Sequence, residues 1–416
     1  MSEHFHYQDN RLYAEGVSLE DIASRFGTPC YVYSRAALTE GFYQFSDALK
    51  GRDHLVCYAV KANSNLAVLN LFARLGAGFD IVSGGELQRV IAAGGDTRKV
   101  VFSGVGKTEF EMRMALEEDI LCFNVESASE LDRLNEVAGS MGKKAAISLR
   151  VNPDVDAKTH PYISTGLKQN KFGVAYSETL DLYRKANAMP HLKITGMDCH
   201  IGSQITETGP FFAAAEKVLL LIDELAKEGI VLEHLDLGGG LGIRYHDEAP
   251  PAIPEYVATL LSALKGRTQK LILEPGRVLV GNAGLLLTTV EYIKRGEEKN
   301  FAIVDAAMND LMRPALYDSY HEILPVKRGG SAAGTYEVVG PICETGDFLG
   351  HARVLPIEPQ SRLAIMSAGA YGMSMSSNYN TRPRPAEVMV DRGGVHLVRE
   401  RETVLQLYAG ERVIAD

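Results

Sequence analysis

The stretch HLVCYAVKANSNLAVLNLFARLGAGFDIVSGGELQRVIAAGG (54–95) decides the fold class. It contains two short β-rich runs, HLVCYAV (54–60) and GFDIV (78–82), each followed by a segment with the apolar spacing of an amphipathic helix. Strand and helix therefore alternate, and this order is typical of parallel strands joined by helical crossovers.

The same alternation continues through further strand-like runs, namely KVVFS (99–103), LCFNV (121–125), AISLRV (146–151), ITGMDCH (194–200), HLDL (234–237) and KLILE (270–274). Eight such units within roughly 220 residues match a closed (β/α)₈ barrel, whereas a doubly wound sheet usually has fewer strands and leaves open edges. We therefore predict a TIM-like α/β barrel over residues 36–280.

Beyond residue 280 the rhythm changes, because strand-like runs follow one another without long helices between them. The runs are LLLTTVEY (285–292), FAIVDAA (301–307), TYEVVG (335–340), RLAIMSA (362–368), AEVMV (386–390) and VHLVRE (395–400). This pattern predicts an all-β, barrel-like domain over residues 281–416. The run PCYVYS (29–34) precedes the first barrel unit, so we expect residues 1–35 to join the same β domain.

The composition excludes several classes of protein. The chain of 416 residues carries 43 Lys and Arg against 53 Asp and Glu, so it lacks the basic surface of a nucleic-acid binder. It has no apolar run of about 18 residues that could span a membrane, and its first residues lack signal-peptide features, so we expect a cytoplasmic protein. Its five cysteines form no C-x-x-C pair, and we expect neither a disulfide framework nor a metal site.

The active site of such a barrel lies at the carboxyl ends of its strands, so polar residues at those positions are candidates for catalysis. Lys61 follows the first strand with an apolar wall behind it, which would favour a neutral, nucleophilic amine. For one isolated lysine, an ordinary surface position is the commoner explanation.

Two neighbouring strands end in glycine-containing loops. His200 and Ser203 follow the sixth strand, and the run Gly238–Gly242, with Gly239 and Gly240 at its centre, follows the seventh. Closely approaching backbone N–H groups in such loops can bind phosphate, although a tight turn explains the glycines equally well.

The eighth strand ends in Glu274, Pro275, Gly276 and Arg277. A buried glutamate needs a partner, and a protonated ring nitrogen would hold it ionised; an ion pair between Glu274 and Arg277 within the turn is the simpler alternative. In the β domain, Cys343 precedes Glu344, and Tyr371 lies between glycines. A lone cysteine is most often a buried structural residue.

The combination narrows these alternatives, because amine, imidazole, glycine loop and carboxylate all fall at strand ends of one barrel. Together they predict a pyridoxal 5'-phosphate site. Lys61 would bond covalently to the cofactor, the glycines and the Arg277 region would hold its phosphate, His200 would lie on the ring face and Glu274 would keep the ring nitrogen protonated.

The sequence resembles the fold type III pyridoxal phosphate decarboxylases, in particular those acting on meso-2,6-diaminopimelate. The resemblance covers nearly the whole chain. It rests on YAVKAN (58–63), FDIVSGGE (79–86), NKFG (170–173), HIGSQ (200–204), DLGGGLGI (236–243), EPGR (274–277), CETGDFL (343–349) and GAYGMSMSSNYNTRPRP (369–385). It implies a homodimer with shared active sites that converts this substrate to L-lysine and carbon dioxide, the last step of lysine biosynthesis.

The resemblance also implies residue roles. Lys61 would be the Schiff-base lysine, Gly240 and residues 274–277 would contact the cofactor, and Cys343 of the partner subunit would donate a proton. The implied substrate contacts are Arg277, Arg313, Tyr317, Glu344 and Tyr371, and Tyr371 would also touch the cofactor.

The chemistry favours decarboxylation over racemisation. A carboxylate at Glu274 maintains a protonated pyridine, which stabilises the carbanion left by carbon dioxide, whereas racemases of this fold place an arginine there. The alternatives are a decarboxylase for ornithine, arginine or carboxynorspermidine, against which Arg313 and Tyr317 argue, and a non-catalytic homologue that binds the cofactor.

Overall fold

The computed structural model describes residues 3–156, 170–329 and 332–414. The chain divides into two compact units, here called the barrel unit (41–244 and 248–278) and the β unit (1–40, 245–247 and 279–416). The domain boundaries proposed from the sequence, after residues 35 and 280, lie near the divisions between these units.

The strands, in chain order, are β1 (Phe5–Gln8), β2 (Arg11–Ala14), β3 (Val17–Ser18), β4 (Cys30–Ser34), β5 (His54–Ala59), β6 (Gly78–Ile81), β7 (Val100–Phe102), β8 (Cys122–Val125), β9 (Ala145–Asn152), β10 (Val174–Ala175), β11 (Leu192–Asp198), β12 (His234–Asp236), β13 (Lys270–Leu273), β14 (Gly284–Lys294), β15 (Phe301–Val304), β16 (Ile323–Pro325), β17 (Gly334–Val339), β18 (Phe348–Leu355), β19 (Arg362–Ile365), β20 (Ala386–Asp391) and β21 (Gly394–Arg399).

The α-helices are α1 (Leu19–Phe26), α2 (Arg35–Ala48), α3 (Leu66–Arg74), α4 (Gly84–Ala92), α5 (Glu109–Glu117), α6 (Ala128–Ser140), α7 (Thr179–Asn187), α8 (Gly209–Lys227), α9 (Ile253–Ala263), α10 (Arg277–Val280), α11 (Arg313–Tyr317) and α12 (Val404–Leu407). None of the helices in the described ranges has the length and apolar character needed to cross a membrane.

The barrel unit contains a closed parallel barrel. Its strands pair in the order β5, β6, β7, β8, β9, β11, β12 and β13, and β13 pairs back to β5. Helices α4, α5 and α6 are capped at their amino ends by Ser83, Thr108 and Ser127, whose side chains each accept a hydrogen bond from the backbone N–H three residues on. The predicted barrel and all eight of its strands are confirmed.

The β unit is built on the long strand β14, which pairs antiparallel with β4, β15 and β19. Strand β4, from the N-terminal region, also pairs in parallel with β20 from the C-terminal region. The prediction that PCYVYS joins the β domain is therefore confirmed. Strand β18 was not predicted; it pairs antiparallel with β17.

Both faces of the central sheet are buried. Leu285 and Leu287 of β14 belong to one hydrophobic cluster, and Leu286 and Val290 belong to another. Successive side chains of a strand point to opposite faces, so the continuous apolar run of β14 packs into a hydrophobic cluster on each face of the sheet.

Candidate active site

Lys61 lies at the carboxyl end of β5, within a 3₁₀ turn formed by Val60–Ala62. Its Nζ donates a hydrogen bond to Oδ2 of Asp80 at 2.6 Å. Asp80 is fully buried on the neighbouring strand β6, whereas the Lys61 side chain is 37% exposed. The negative charge of Asp80 favours the ammonium form of Lys61. The apolar surrounding expected from the sequence would favour the neutral amine, so the two effects act in opposite directions.

Three buried carboxylates converge at the ends of adjacent barrel strands. Asp198 ends β11, Asp236 ends β12 and Glu274 follows β13, and their oxygen atoms lie within 4.8 Å of one another. Burial, together with the charges of Asp236, Asp80 and Asp198, raises the pKa of Glu274 well above its usual value. The cluster therefore holds protons or attracts a cationic group.

A protonatable pair within this cluster consists of Asp236 and Glu274. Burial raises the pKa of Asp236 to about 7, although a hydrogen bond from the Gly238 N–H opposes this effect. Glu274 accepts a hydrogen bond at Oε1 from Nδ2 of the buried Asn124, at 3.4 Å. These contacts fix the carboxyl groups inside the barrel end.

Arg150 of β9 supplies a positive charge next to the acids. Its Nη1 lies 3.2 Å from Glu126 Oε1, and its Nε lies 3.9 Å from Asp198 Oδ2. The arginine is 7% exposed, so its charge acts in a poorly hydrated environment where ionic interactions are strong.

His200 follows β11 and contacts the glycine run after β12. The backbone N–H of Gly239 donates to His200 Nδ1 at 3.1 Å. Burial, with smaller contributions from Arg150 and Lys61, lowers the pKa of His200 well below its usual value. The imidazole is therefore neutral near physiological pH, as suits a ring that packs against an aromatic cofactor.

The glycine loop leaves no room for side chains. A Cβ on Gly239 would lie 2.1 Å from the carbonyl oxygen of Glu274, and Gly240 has a φ of +109° in the region that favours glycine. On the adjacent strand end, Arg277 donates from Nη2 to Ser203 Oγ at 3.0 Å. Backbone amides and an arginine thus lie at neighbouring strand ends, an arrangement suited to phosphate.

Four of the five predicted residues of the β unit lie in two pairs along the chain. Arg313 and Tyr317 begin and end α11. Cys343 is exposed, unlike the other four cysteines, so the alternative of a buried structural thiol is wrong for this position. Its backbone N–H donates to Asn380 Oδ1 at 2.9 Å, and the neighbouring Glu344 accepts a hydrogen bond from the Tyr379 hydroxyl.

Tyr371 adopts a φ of +55°, a left-handed conformation that is uncommon for a tyrosine. A residue is retained in such a conformation only where its surroundings determine it, and such positions cluster at functional sites. The backbone conformation of Tyr371 is therefore a structural reason, beside the sequence, to count it among the candidate site residues.

Four further charged residues of the site were not predicted from the sequence, namely Asp80, Asp198, Asp236 and Arg150. Each lies inside a strand or at its last position, where the sequence pattern indicates core, whereas the predicted site residues of the barrel come after the strands. A charged residue within a continuous apolar run was the available signal, because such a residue is rarely buried without a partner.

The barrel unit fits pyridoxal phosphate on its own geometry. It offers an amine at a strand end, a neutral, partly buried imidazole, a glycine loop in which a Cβ would collide with backbone, and a cluster of carboxyl groups that a cationic ring N–H would complement. The donors match each part of the cofactor in charge and hydrogen bonding.

Comparison with known proteins supports this assignment. The family described as pyridoxal-dependent decarboxylase, pyridoxal binding domain, matches residues 35–281. The chain is 60% identical over 410 residues to diaminopimelate decarboxylase of Pseudomonas aeruginosa, covering 99% of each chain. The chain belongs to the diaminopimelate decarboxylase family. It is also 58% identical to the diaminopimelate decarboxylase of Vibrio cholerae over 100% of both chains.

Solved structures of this family have the same fold. Diaminopimelate decarboxylase from Helicobacter pylori, complexed with L-lysine, is 43% identical with a TM-score of 0.91, covering 94% of this chain and 98% of that one. The M. jannaschii diaminopimelate decarboxylase reaches a TM-score of 0.95 at 40% identity, covering 99% of this chain and 98% of that one. The fold and the family predicted from the sequence are thus confirmed.

Proposed function

We propose that this chain decarboxylates meso-2,6-diaminopimelate to L-lysine and carbon dioxide with pyridoxal 5'-phosphate, as the last step of lysine biosynthesis. The observation that carries the proposal is the 60% identity to a diaminopimelate decarboxylase over 99% of both chains. The cofactor, when bound, supplies an electron sink for the electron pair that departing carbon dioxide leaves on the substrate.

In this proposal the barrel unit holds the cofactor. Lys61 would hold the cofactor at its carbonyl carbon, and Ser203, the loop at Gly239 and Gly240, and the segment at Gly276 and Arg277 would hold its phosphate. His200 lies against the ring as a neutral group, which its lowered pKa supports.

Glu274 keeps the ring nitrogen protonated. A carboxyl group whose pKa is raised by burial and by neighbouring acids gains most from a cationic N–H partner, because that partner offsets both effects. The buried acids Asp198 and Asp236 lie within 4.8 Å of Glu274, and in their ionised forms they would also favour the protonated ring.

The substrate carries a second amino-acid group distant from the reacting carbon, and it needs both cationic and anionic partners there. We assign the distal carboxylate to Arg277 and Arg313, the distal amine to Glu344, and further contacts to Tyr317 and Tyr371. Cys343 donates a proton from Sγ to the substrate carbon, and its exposure permits contact with another subunit.

We further propose a cytoplasmic homodimer in which Cys343 of one subunit completes the site of the other. The exposed position of Cys343 supports this arrangement.

The test is carbon dioxide release by the cofactor-loaded enzyme from a substrate panel. We expect release from meso-2,6-diaminopimelate with formation of L-lysine, and little release from ornithine or arginine. Preferred turnover of ornithine or arginine would reject the substrate assignment, and the absence of any turnover would favour a non-catalytic homologue.

A further inference from the structure

Arg313 of the β unit is held from several sides although its side chain is long and flexible. It is 5% exposed, and its Nη1 lies 2.9 Å from Nε2 of His321. Its Nη2 donates to Ser319 Oγ at 3.2 Å, and the Tyr245 ring covers the guanidinium with its centroid 4.4 Å from Cζ. Contacts to two nitrogens and one face fix the plane of the guanidinium.

His321 is the most constrained member of this group. It is fully buried, and its Nδ1 lies 2.8 Å from the backbone carbonyl oxygen of Met366. A carbonyl oxygen only accepts, so Nδ1 carries a hydrogen, and a guanidinium only donates, so Nε2 must accept. The two partners therefore require the neutral Nδ1–H tautomer.

The orientation of this imidazole is anchored in the sheet. Met366 directly follows β19, which pairs with the long central strand β14. The Tyr245 ring meets the His321 ring edge to face, with centroids 5.3 Å apart. His321 thus links the sheet to the guanidinium through two directional hydrogen bonds.

We propose that His321 is a positioning residue that orients the Arg313 guanidinium toward the distal carboxylate of the substrate. This inference rests on the proposed function, because it requires Arg313 to bind that carboxylate. A bidentate contact between a guanidinium and a carboxylate depends on the plane of the guanidinium, so a fixed plane favours a carboxylate over an uncharged group.

Two substitutions separate the hydrogen bonds of His321. His321→Asn retains a short amide N–H that can donate to Met366 but does not reach Arg313. His321→Gln is longer, and its amide oxygen can accept from the Arg313 guanidinium. A purely structural role through Met366 predicts that the glutamine variant is the more damaged, whereas the positioning role predicts that the asparagine variant is.

The test compares one ligand that has the distal carboxylate, L-lysine, with one that lacks it, 1,5-diaminopentane. Decarboxylation removes one carboxylate, so L-lysine retains the distal amino-acid group, whereas 1,5-diaminopentane lacks it. With cofactor-loaded His321→Asn enzyme, we expect the KM of meso-2,6-diaminopimelate and the inhibition constant of L-lysine to rise roughly tenfold or more. The inhibition constant of 1,5-diaminopentane and kcat should change little.

His321→Gln should retain most of the wild-type affinity for L-lysine that His321→Asn loses. In an Arg313→Ala background, His321→Asn should have no further effect, because no guanidinium remains to be oriented. His396→Asn, at an exposed histidine of β21, is the matched control.

Any of three results would overturn the positioning role. The affinity of His321→Asn for L-lysine could be unchanged, its affinity for 1,5-diaminopentane could fall as much as that for L-lysine, or both variants could fail to fold. Failure of the proposed function is a separate result: wild-type enzyme would not decarboxylate meso-2,6-diaminopimelate, or Arg313→Ala would leave L-lysine affinity unchanged.

Discussion

Glu274 lies among carboxyl groups that make its ionised form unfavourable unless a cation is near. Asp198 and Asp236 are its buried neighbours, and Asn124 is its hydrogen-bond donor. A glutamine would accept the same bond from Asn124 and relieve the repulsion, so the residue can be changed without emptying the core. In the proposed function, we therefore expect Glu274 to matter for its charge rather than for its packing.

Glu274→Gln should consequently fold normally but release carbon dioxide at a rate lower by roughly a hundredfold or more, because a neutral amide cannot hold the ring nitrogen protonated. The measurements are kcat for the cofactor-loaded variant and its thermal midpoint. Glu117→Gln, at an exposed position of α5, is the control. Near-normal turnover would show that the charge of Glu274 is not needed.

Asp236 makes the stability of the cofactor-free protein depend on pH. Burial raises its pKa from 3.8 to about 7. A buried acid with a raised pKa stabilises the folded state below its ordinary pKa, and this stability is lost as pH rises through the folded-state value. We therefore expect Asp236 to contribute a fall in the thermal midpoint of the cofactor-free protein between pH 3.8 and about 7.

Asp236→Asn should reduce this fall, by at most about 1.4 kcal/mol of unfolding free energy per pH unit. Thermal unfolding across the pH series checks it, with Asp53→Asn as the control because the Asp53 side chain is 68% exposed. An equal pH dependence in wild type and Asp236→Asn would exclude Asp236 as its source.

The elements of the fold could largely be predicted because their signals are local. Each barrel strand is a short apolar run, and each run is followed by a segment with helical spacing. Strand β18 was not predicted, because its sequence, FLGHARVL, has successive exposed residues at its centre. It therefore lacks the alternation of buried and exposed side chains that is typical of a half-buried strand.

The candidate site was predictable where residues follow a strand, as Lys61, His200 and Glu274 do. It was not predicted where an acid such as Asp80 lies within the strand itself, because the charge within an apolar run does not show what the acid contacts. A single sequence does not reveal which side chains face the barrel interior, and a pair such as Lys61 and Asp80 joins two strands.

The loop after β12 sets the close approach between neighbouring strand ends. A Cβ on Gly239 would meet the backbone carbonyl of Glu274 at 2.1 Å, and backbone cannot yield as a flexible side chain can. Gly239→Ala should therefore displace the loop and weaken cofactor binding by roughly a hundredfold, since small misplacements in a site have large effects.

Cofactor titration of the Gly239→Ala protein, followed by absorbance, measures this effect. Gly209→Ala is the matched control, because a Cβ on Gly209 meets no atom within 4 Å. Equal cofactor affinity in both variants would contradict the proposed role of the loop.

At the scale of the whole molecule, the residues assigned to catalysis are divided between the two units. Lys61, His200 and Glu274 belong to the barrel unit, and Cys343 belongs to the β unit. In the proposed dimer, the proton donor and the cofactor lysine of one site come from different subunits. This arrangement makes a prediction that a site contained within one subunit does not make.

Lys61→Ala and Cys343→Ala chains should each be inactive as homodimers, yet they should complement each other when mixed. A heterodimer then has one intact site, while its other site carries both substitutions, so random reassortment of equal amounts should restore about a quarter of wild-type activity. The mixed chains are unfolded and refolded together, and differently tagged chains recovered as one dimer show that subunits have exchanged. If Cys343 acts within its own chain, every site lacks one group and no activity returns.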